Sequence, residues 1–158
     1  MKLMDGNLLD RYTLNYKVNV LLKDGTKFAS PTSGQGIEGP LNQHLQGSAE
    51  IIFGRADEYD EDRSPNIPLT RISGVSKQHG KIYLAGGNLV CEATSRSDTV
   101  VVDYNGYHIP LNASNGNTRT AVVFPADFSG EKGTAMIRCG GHSELELILE
   151  KKRPLIDC

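Results

Sequence analysis

A chain of 158 residues is long enough for one domain around a single core and too short for two comfortable ones. Its 17 Lys and Arg against 19 Asp and Glu leave a formal net charge of −2, so no global basic field draws it to nucleic acid or to an anionic membrane, and any anion site must be local. No apolar run approaches the roughly 18 to 20 residues of a membrane-spanning helix, and Lys2, Asp5, Asp10 and Arg11 break up the apolar positions of the first 15 residues in a way a secretory signal does not; the chain is expected to be soluble and cytoplasmic.

Residues 1–15 read as an N-terminal extension. From there the pattern takes a period of two: Tyr16, Val18, Val20 and Leu22 alternate with Lys17, Asn19 and Lys23, the mark of a half-buried strand. Asp24-Gly25 is a strong hairpin signal and turns the chain into a second strand over 26–29. Residues 30–48 are polar and rich in Gly, Pro and Gln. So long a stretch in a compact domain is a functional loop, a disordered one or an element hidden by its composition.

A strand over 49–53 leads into Gly54-Arg55. Close behind it, Asp57-Glu58-Tyr59-Asp60-Glu61-Asp62 sets five acids in six residues. Like charges this dense favour a solvated insertion; the sharper reading makes them a selector for basic residues on a bound peptide. Strands follow over 81–84, 89–93, 99–103, 107–111, 120–124, 134–139 and 145–149. Gly86-Gly87-Asn88, Asn105-Gly106 and Gly140-Gly141 lie between neighbours and tolerate positive φ. Many short strands joined by tight turns indicate an all-β sandwich over residues 16–150, with 151–158 as a C-terminal tail.

Reactive chemistry finds little support in the chain. Cys91, Cys139 and Cys158 form an odd count without a short-spaced pair, unlike a disulfide framework or a zinc ribbon. The first two fall in strand-like segments and read as small core residues. Gly74-Val75-Ser76-Lys77-Gln78 begins like a nucleophile elbow but ends in Gln, and the alternating helices of a hydrolase are missing. Cys139-Gly140-Gly141-His142 has half a metal site's ligands, and its glycines suit a hairpin. No Walker A sequence occurs, and no dinucleotide glycine fingerprint follows a strand and opens a helix. No enzyme activity, catalytic residue, metal or cofactor is expected.

Three stretches remain, each where a strand meets a loop: Gly54-Arg55, Ser76-Lys77-Gln78-His79, and Ser95-Arg96-Ser97-Asp98-Thr99 with Asn105-Gly106 behind it. They read as a cationic, hydroxyl-rich rim. A phosphate monoester offers several anionic acceptor oxygens, which a guanidinium fork and a neighbouring hydroxyl hold through charge-assisted hydrogen bonds. His79, three residues after Ser76, reads as a buried histidine that steadies its own loop.

This spacing resembles the forkhead-associated (FHA) domain, and the resemblance spans about residues 16–150. It implies a β-sandwich of about eleven strands whose apical loops bind phosphothreonine peptides without catalysis, linking one protein to another in signalling. It further implies that Arg55 and Ser76 contact the phosphate, that Lys77 or Arg96 adds charge, and that Ser97 fixes the peptide backbone. Gly54 and His79 would shape and brace the loops, and Asn105 and Gly106 would serve structurally. Where most members carry Asn-Gly-Thr, this chain has Ser97-Asp98-Thr99, so a short hydroxyl replaces the amide. The partner implied is a phosphothreonine protein or peptide, with basic flanking residues if the acidic 57–62 segment acts as a selector. The alternative is a degenerate sandwich that acts, independently of phosphate, as a structural or assembly subunit.

Overall fold

The computed structural model describes residues 8–21, 27–29, 40–46, 49–54, 66–69, 78–96, 98–114, 116, 118–140 and 143–152. Among them a short helix α1 (Leu8–Arg11) precedes β1 (Tyr12–Leu21) and β2 (Lys27–Ala29), and a 3₁₀ turn (Leu41–Leu45) precedes β3 (Glu50–Gly54) and β4 (Ile67–Pro68). Then come β5 (Gly80–Ala85), β6 (Asn88–Ala93), β7 (Thr99–Val102), β8 (His108–Leu111), β9 (Thr120–Phe124), β10 (Lys132–Cys139) and β11 (Ser143–Lys151).

The eleven strands form two sheets, one in the order β2-β1-β11-β10-β7-β8 and the other β4-β3-β5-β6-β9. All pairings are antiparallel except β3 with β4. This is the all-β sandwich that the period-two pattern predicts. Alternate positions supply its single core: Leu14 and Val18 of β1, Ala135, Ile137 and Cys139 of β10, and Leu145, Leu147 and Leu149 of β11 join Ile51, Phe53, Ile82, Leu89, Cys91 and Val123 of the second sheet. Each fully buried aliphatic side chain contributes about 1.5–3 kcal/mol. Cys91 and Cys139 are free, fully buried thiols, as their strand positions suggest, and burial pushes both thiol pKa values up.

The β5–β6 hairpin shows why glycine punctuates this chain. Ala85 pairs with Asn88, leaving Gly86 (φ 60°) and Gly87 (φ 85°) as a two-residue loop. Positive φ at both central residues is the type I′ geometry, whose twist matches that of the strands.

Three parts of the fold differ from the expectations. The first strand starts at Tyr12, not at residue 16, and Leu8, Leu9, Tyr12 and Leu14 belong to the core, so from residue 8 the supposed extension packs with the sandwich. Asp10 and Arg11 obscure this because they interrupt the apolar pattern, although Arg11 serves the junction. Arg11 donates to the carbonyls of Ala126 and Phe128, and the Tyr12 hydroxyl donates to Gly130 O at 2.6 Å.

Second, part of the polar 30–48 stretch is built into the core. Leu41 and Leu45, four apart on the 3₁₀ turn, are fully buried. Between them Asn42 accepts from Leu14 N at 3.0 Å and donates to the carbonyls of Leu9 (3.1 Å) and Tyr12 (2.7 Å), satisfying groups that the end of α1 would leave orphaned. Third, β4 is only two residues long and contains Pro68, which is tolerated because the strand lies at a sheet edge.

Gly80 opens β5 where two surfaces meet most tightly. A Cβ there would lie 2.5 Å from Phe53 Cζ and 2.9 Å from the Glu92 carbonyl oxygen. The carbonyl belongs to the paired β6 strand and the ring to the core, so neither has room to give. Gly80→Ala is expected to destabilise the fold by about 1–3 kcal/mol, read as a lower denaturant midpoint at unchanged m-value; an unaltered midpoint would mean the two surfaces relax freely.

Candidate functional site

The chain gathers at one corner of the sandwich, where β3 ends, β5 begins and β6 hands over to β7. Backbone bonds fasten the pieces in sequence. Gly54 O accepts from Leu69 N at 2.8 Å, Phe53 O from His79 N at 3.0 Å, and His79 O from Thr94 N at 3.2 Å. The Thr94 hydroxyl adds a bond to Gln78 O at 2.9 Å.

The imidazole of His79 closes this corner. It is fully buried, packs beside the Phe53 ring at a centroid distance of 6.4 Å, and places Nε2 3.1 Å from the carbonyl oxygen of Asp98. A carbonyl only accepts, so Nε2 carries the proton. The same Asp98 oxygen accepts from Gly140 N at 3.0 Å, drawing the β10–β11 turn into the assembly. Burial is the largest influence on the ring and lowers its pKa, against the opposing Asp98 carbonyl bond and Asp98 charge. At neutral pH the ring is therefore neutral.

On the far side of Asp98 the β8–β9 connection braces the β6–β7 one. Asn112 Nδ2 donates to Arg96 O at 2.8 Å, Asn112 Oδ1 accepts from Ser114 N at 2.8 Å, and Ala113 N donates to Ser95 O at 3.0 Å. Asn112 was not among the expected site residues, although an Asn opening the turn-rich run Asn112-Ala113-Ser114-Asn115-Gly116 is the available signal for such a clamp. The Asp98 carbonyl leaves no signal, because any residue has one.

The expected residues divide into three groups. Gly54, His79 and Arg96 lie at this corner, the first two buried and Arg96 exposed. Arg55, Ser76, Lys77 and Ser97 lie outside the described residues, as does the acidic 57–62 segment. Asn105 and Gly106 sit elsewhere: they form the turn that follows β7, whereas Asp98 precedes that strand. There the Asp103 carboxylate accepts from Asn105 N (2.9 Å) and Tyr107 N (3.0 Å), and Gly106 takes φ 85°. Their part is a hairpin turn at the other end of β7 from the corner.

The buried ring has a pH signature. In the unfolded chain it titrates near 6.5; folded, its pKa is lower. Below about pH 6.5 the unfolded state binds a proton that the native state refuses, so stability is complete above that pH and is lost as pH falls toward the folded value. The slope approaches about 1.4 kcal/mol per pH unit for one proton. His79→Gln is expected to be less stable at pH 7 by about 1–3 kcal/mol and to show a flatter decline from pH 6.5 to 5 in urea titrations; parallel curves would contradict the assignment.

No protein-family model matches the chain, and no curated protein does. Among solved structures it is similar to the FHA domain of an Arabidopsis thaliana hypothetical protein, at 15% identity and a TM-score of 0.48 over 99% of this chain and 98% of that one. It is also similar to an FHA domain from a structural and functional analysis of phosphothreonine-dependent FHA domain interactions, at 18% identity and a TM-score of 0.38, over 88% of this chain and 99% of that one.

Proposed function

We propose that the chain is a non-catalytic, FHA-type reader of phosphothreonine peptides, with Arg55 and Ser76 holding the phosphate, Lys77 or Arg96 adding charge and Ser97 meeting the peptide backbone. The observation that carries this reading is the His79 junction. Three segments distant in sequence end at it: Phe53-Gly54, Gln78-His79, and Arg96 with Asp98. Arg55 is bonded to Gly54, Ser76 precedes Gln78 by two residues, and Ser97 links Arg96 to Asp98. In sequence, a guanidinium, an alcohol and a second hydroxyl are thus each within two residues of a position at this corner.

The chemistry favours an anion with several acceptor oxygens. Arg55 and Ser76 together offer the forked donors and the hydroxyl that a phosphate monoester accepts, and Arg96, on the β6–β7 connection, is an exposed cation. With a formal net charge of −2, attraction to the phosphate is local, and long polyanions gain no broad basic surface. Loops presented on a rigid β scaffold are the common arrangement for such recognition.

Arg55→Ala is expected to weaken a phosphothreonine peptide by about 2–5 kcal/mol, and Ser76→Ala by about 1–3 kcal/mol, in calorimetric titrations against the phosphorylated and unmodified forms of one peptide. Equal affinity of the wild type for the two forms would reject the reader in favour of a phosphate-independent assembly subunit that docks through a sheet edge.

A further inference from the structure

Asp98 uses its backbone and its side chain for different ends. Its carbonyl is bound by His79 and Gly140, which fixes the residue's position. Its carboxylate is exposed and makes no hydrogen bond or ion pair with the described residues. Asp98 lines a groove of about 500 Å³ running across the start of β7 and the end of β8, whose other walls include Val100, Pro110, Leu111, Asn112 and Thr118.

The lining specifies an occupant. Among the described residues its single charge is negative, and none of those lining it is Lys, Arg or His. Val100, half-buried, and Pro110 are register partners on β7 and β8 and make an apolar floor. Asn112 has both side-chain ends committed, to Arg96 O and Ser114 N, so it is a fixed wall. An aliphatic stem ending in a cation matches this pattern: the stem lies along the floor and the head meets the carboxylate.

Other occupants fit less well. β8 is the outer strand of its sheet, but Pro110 has no N–H to give and interrupts the ladder an added strand would need. A lone carboxylate is too little for a hard cation, which takes six or more oxygens. Nucleic acid phosphates would meet a like charge.

We propose that this groove takes the side chain of a lysine or arginine flanking the phosphothreonine, with Asp98 as the specificity-determining residue. The proposal rests on the phosphothreonine reading, since Ser97, the residue assigned to the peptide backbone, is bonded to Asp98. It also accounts for a carboxylate beside an anion site. Without a peptide cation Asp98 repels the phosphate; with one, it is neutralised and the pair attracts. Asp98 thus penalises phosphopeptides that lack a basic neighbour as well as favouring those that have one, which is how specificity is built from an unfavourable element.

The test uses the full chain and a phosphothreonine peptide with alanine flanks, into which one Lys or one Glu is walked through the flanking positions. At one position Lys is expected to improve affinity about two- to five-fold over Ala, with Glu worse than Ala. Asp98→Asn should bring the Lys-to-Ala ratio at that position to about one while tightening the alanine peptide, and Asp98→Lys should make Glu the preferred residue. In amide NMR spectra the Lys peptide, but not the Ala peptide, should shift Val100, Leu111 and Thr118.

Phosphate-dependent binding with no Lys preference at any position would overturn the groove and leave the phosphate reading standing. So would a Lys preference that survives Asp98→Asn but disappears when the five acids of residues 57–62 are neutralised, because the selector would then be that segment. A Lys preference abolished by Asp98→Asn in a chain indifferent to phosphorylation would support the groove and dismiss the phosphate reading.

Discussion

One buried imidazole holds the corner between β3, β5 and the β6–β7 connection together. His79 gives its backbone N–H to β3, takes a backbone N–H from Thr94 on its carbonyl, and sends Nε2–H to the Asp98 carbonyl that Gly140 also binds. Four separate segments converge on this residue and its acceptor. A typical hydrogen bond adds about 0.5–1.5 kcal/mol, but stranding a buried partner costs about 1–3 kcal/mol. The junction therefore acts less as a large source of stability than as a penalty on any arrangement that pulls the segments apart. Its neutrality matters as much as its geometry, because a charged ring in this setting would have to be desolvated.

Period-two apolarity made the scaffold readable. Strands such as β6, β9 and β11 have one face in the core, and a single residue of slippage would expose it, so Leu89, Cys91 and Ala93, or Leu145, Leu147 and Leu149, declare their strands directly. The misses share a cause. Arg11 and Asn42, set among other polar residues, carry side chains whose work is to satisfy backbone groups, Arg11 for Ala126 and Phe128 and Asn42 for Leu9, Leu14 and Tyr12. Polar residues spent on internal carbonyls look, in one dimension, the same as polar residues facing water. β4 escaped notice because two residues cannot display a period.

The site was legible to a different degree. Gly54 and His79 were singled out in the sequence at strand ends, and both are buried at the corner, where His79 bonds through its ring and backbone. The bonds that assemble the corner were not, since nearly all of them end on main-chain carbonyls, which carry no residue identity. Asn105-Gly106 was legible as a turn, and the length of β7 sets that turn away from the corner, at a separate hairpin that the Asp103 carboxylate organises.

Main-chain bracing leaves the side chain at position 98 free to vary in chemical purpose. In the pattern this chain resembles, an Asn-Gly-Thr run supplies an amide to the peptide; here Ser97 is shorter, and Asp98 stands where a glycine has no side chain at all. His79 and Gly140 need only the carbonyl at that position, so a carboxylate is accommodated without loosening the corner. A weaker grip on the peptide backbone can then be offset by a grip on a side chain, which moves discrimination from the shape of the main chain to the charge of the neighbours. An interaction of that kind adds modest affinity in water but strong dependence on the sign of the partner. For the phosphopeptide reader proposed above, which has little net charge, that sign dependence would separate one peptide from other phosphorylated chains better than a stronger phosphate clamp would.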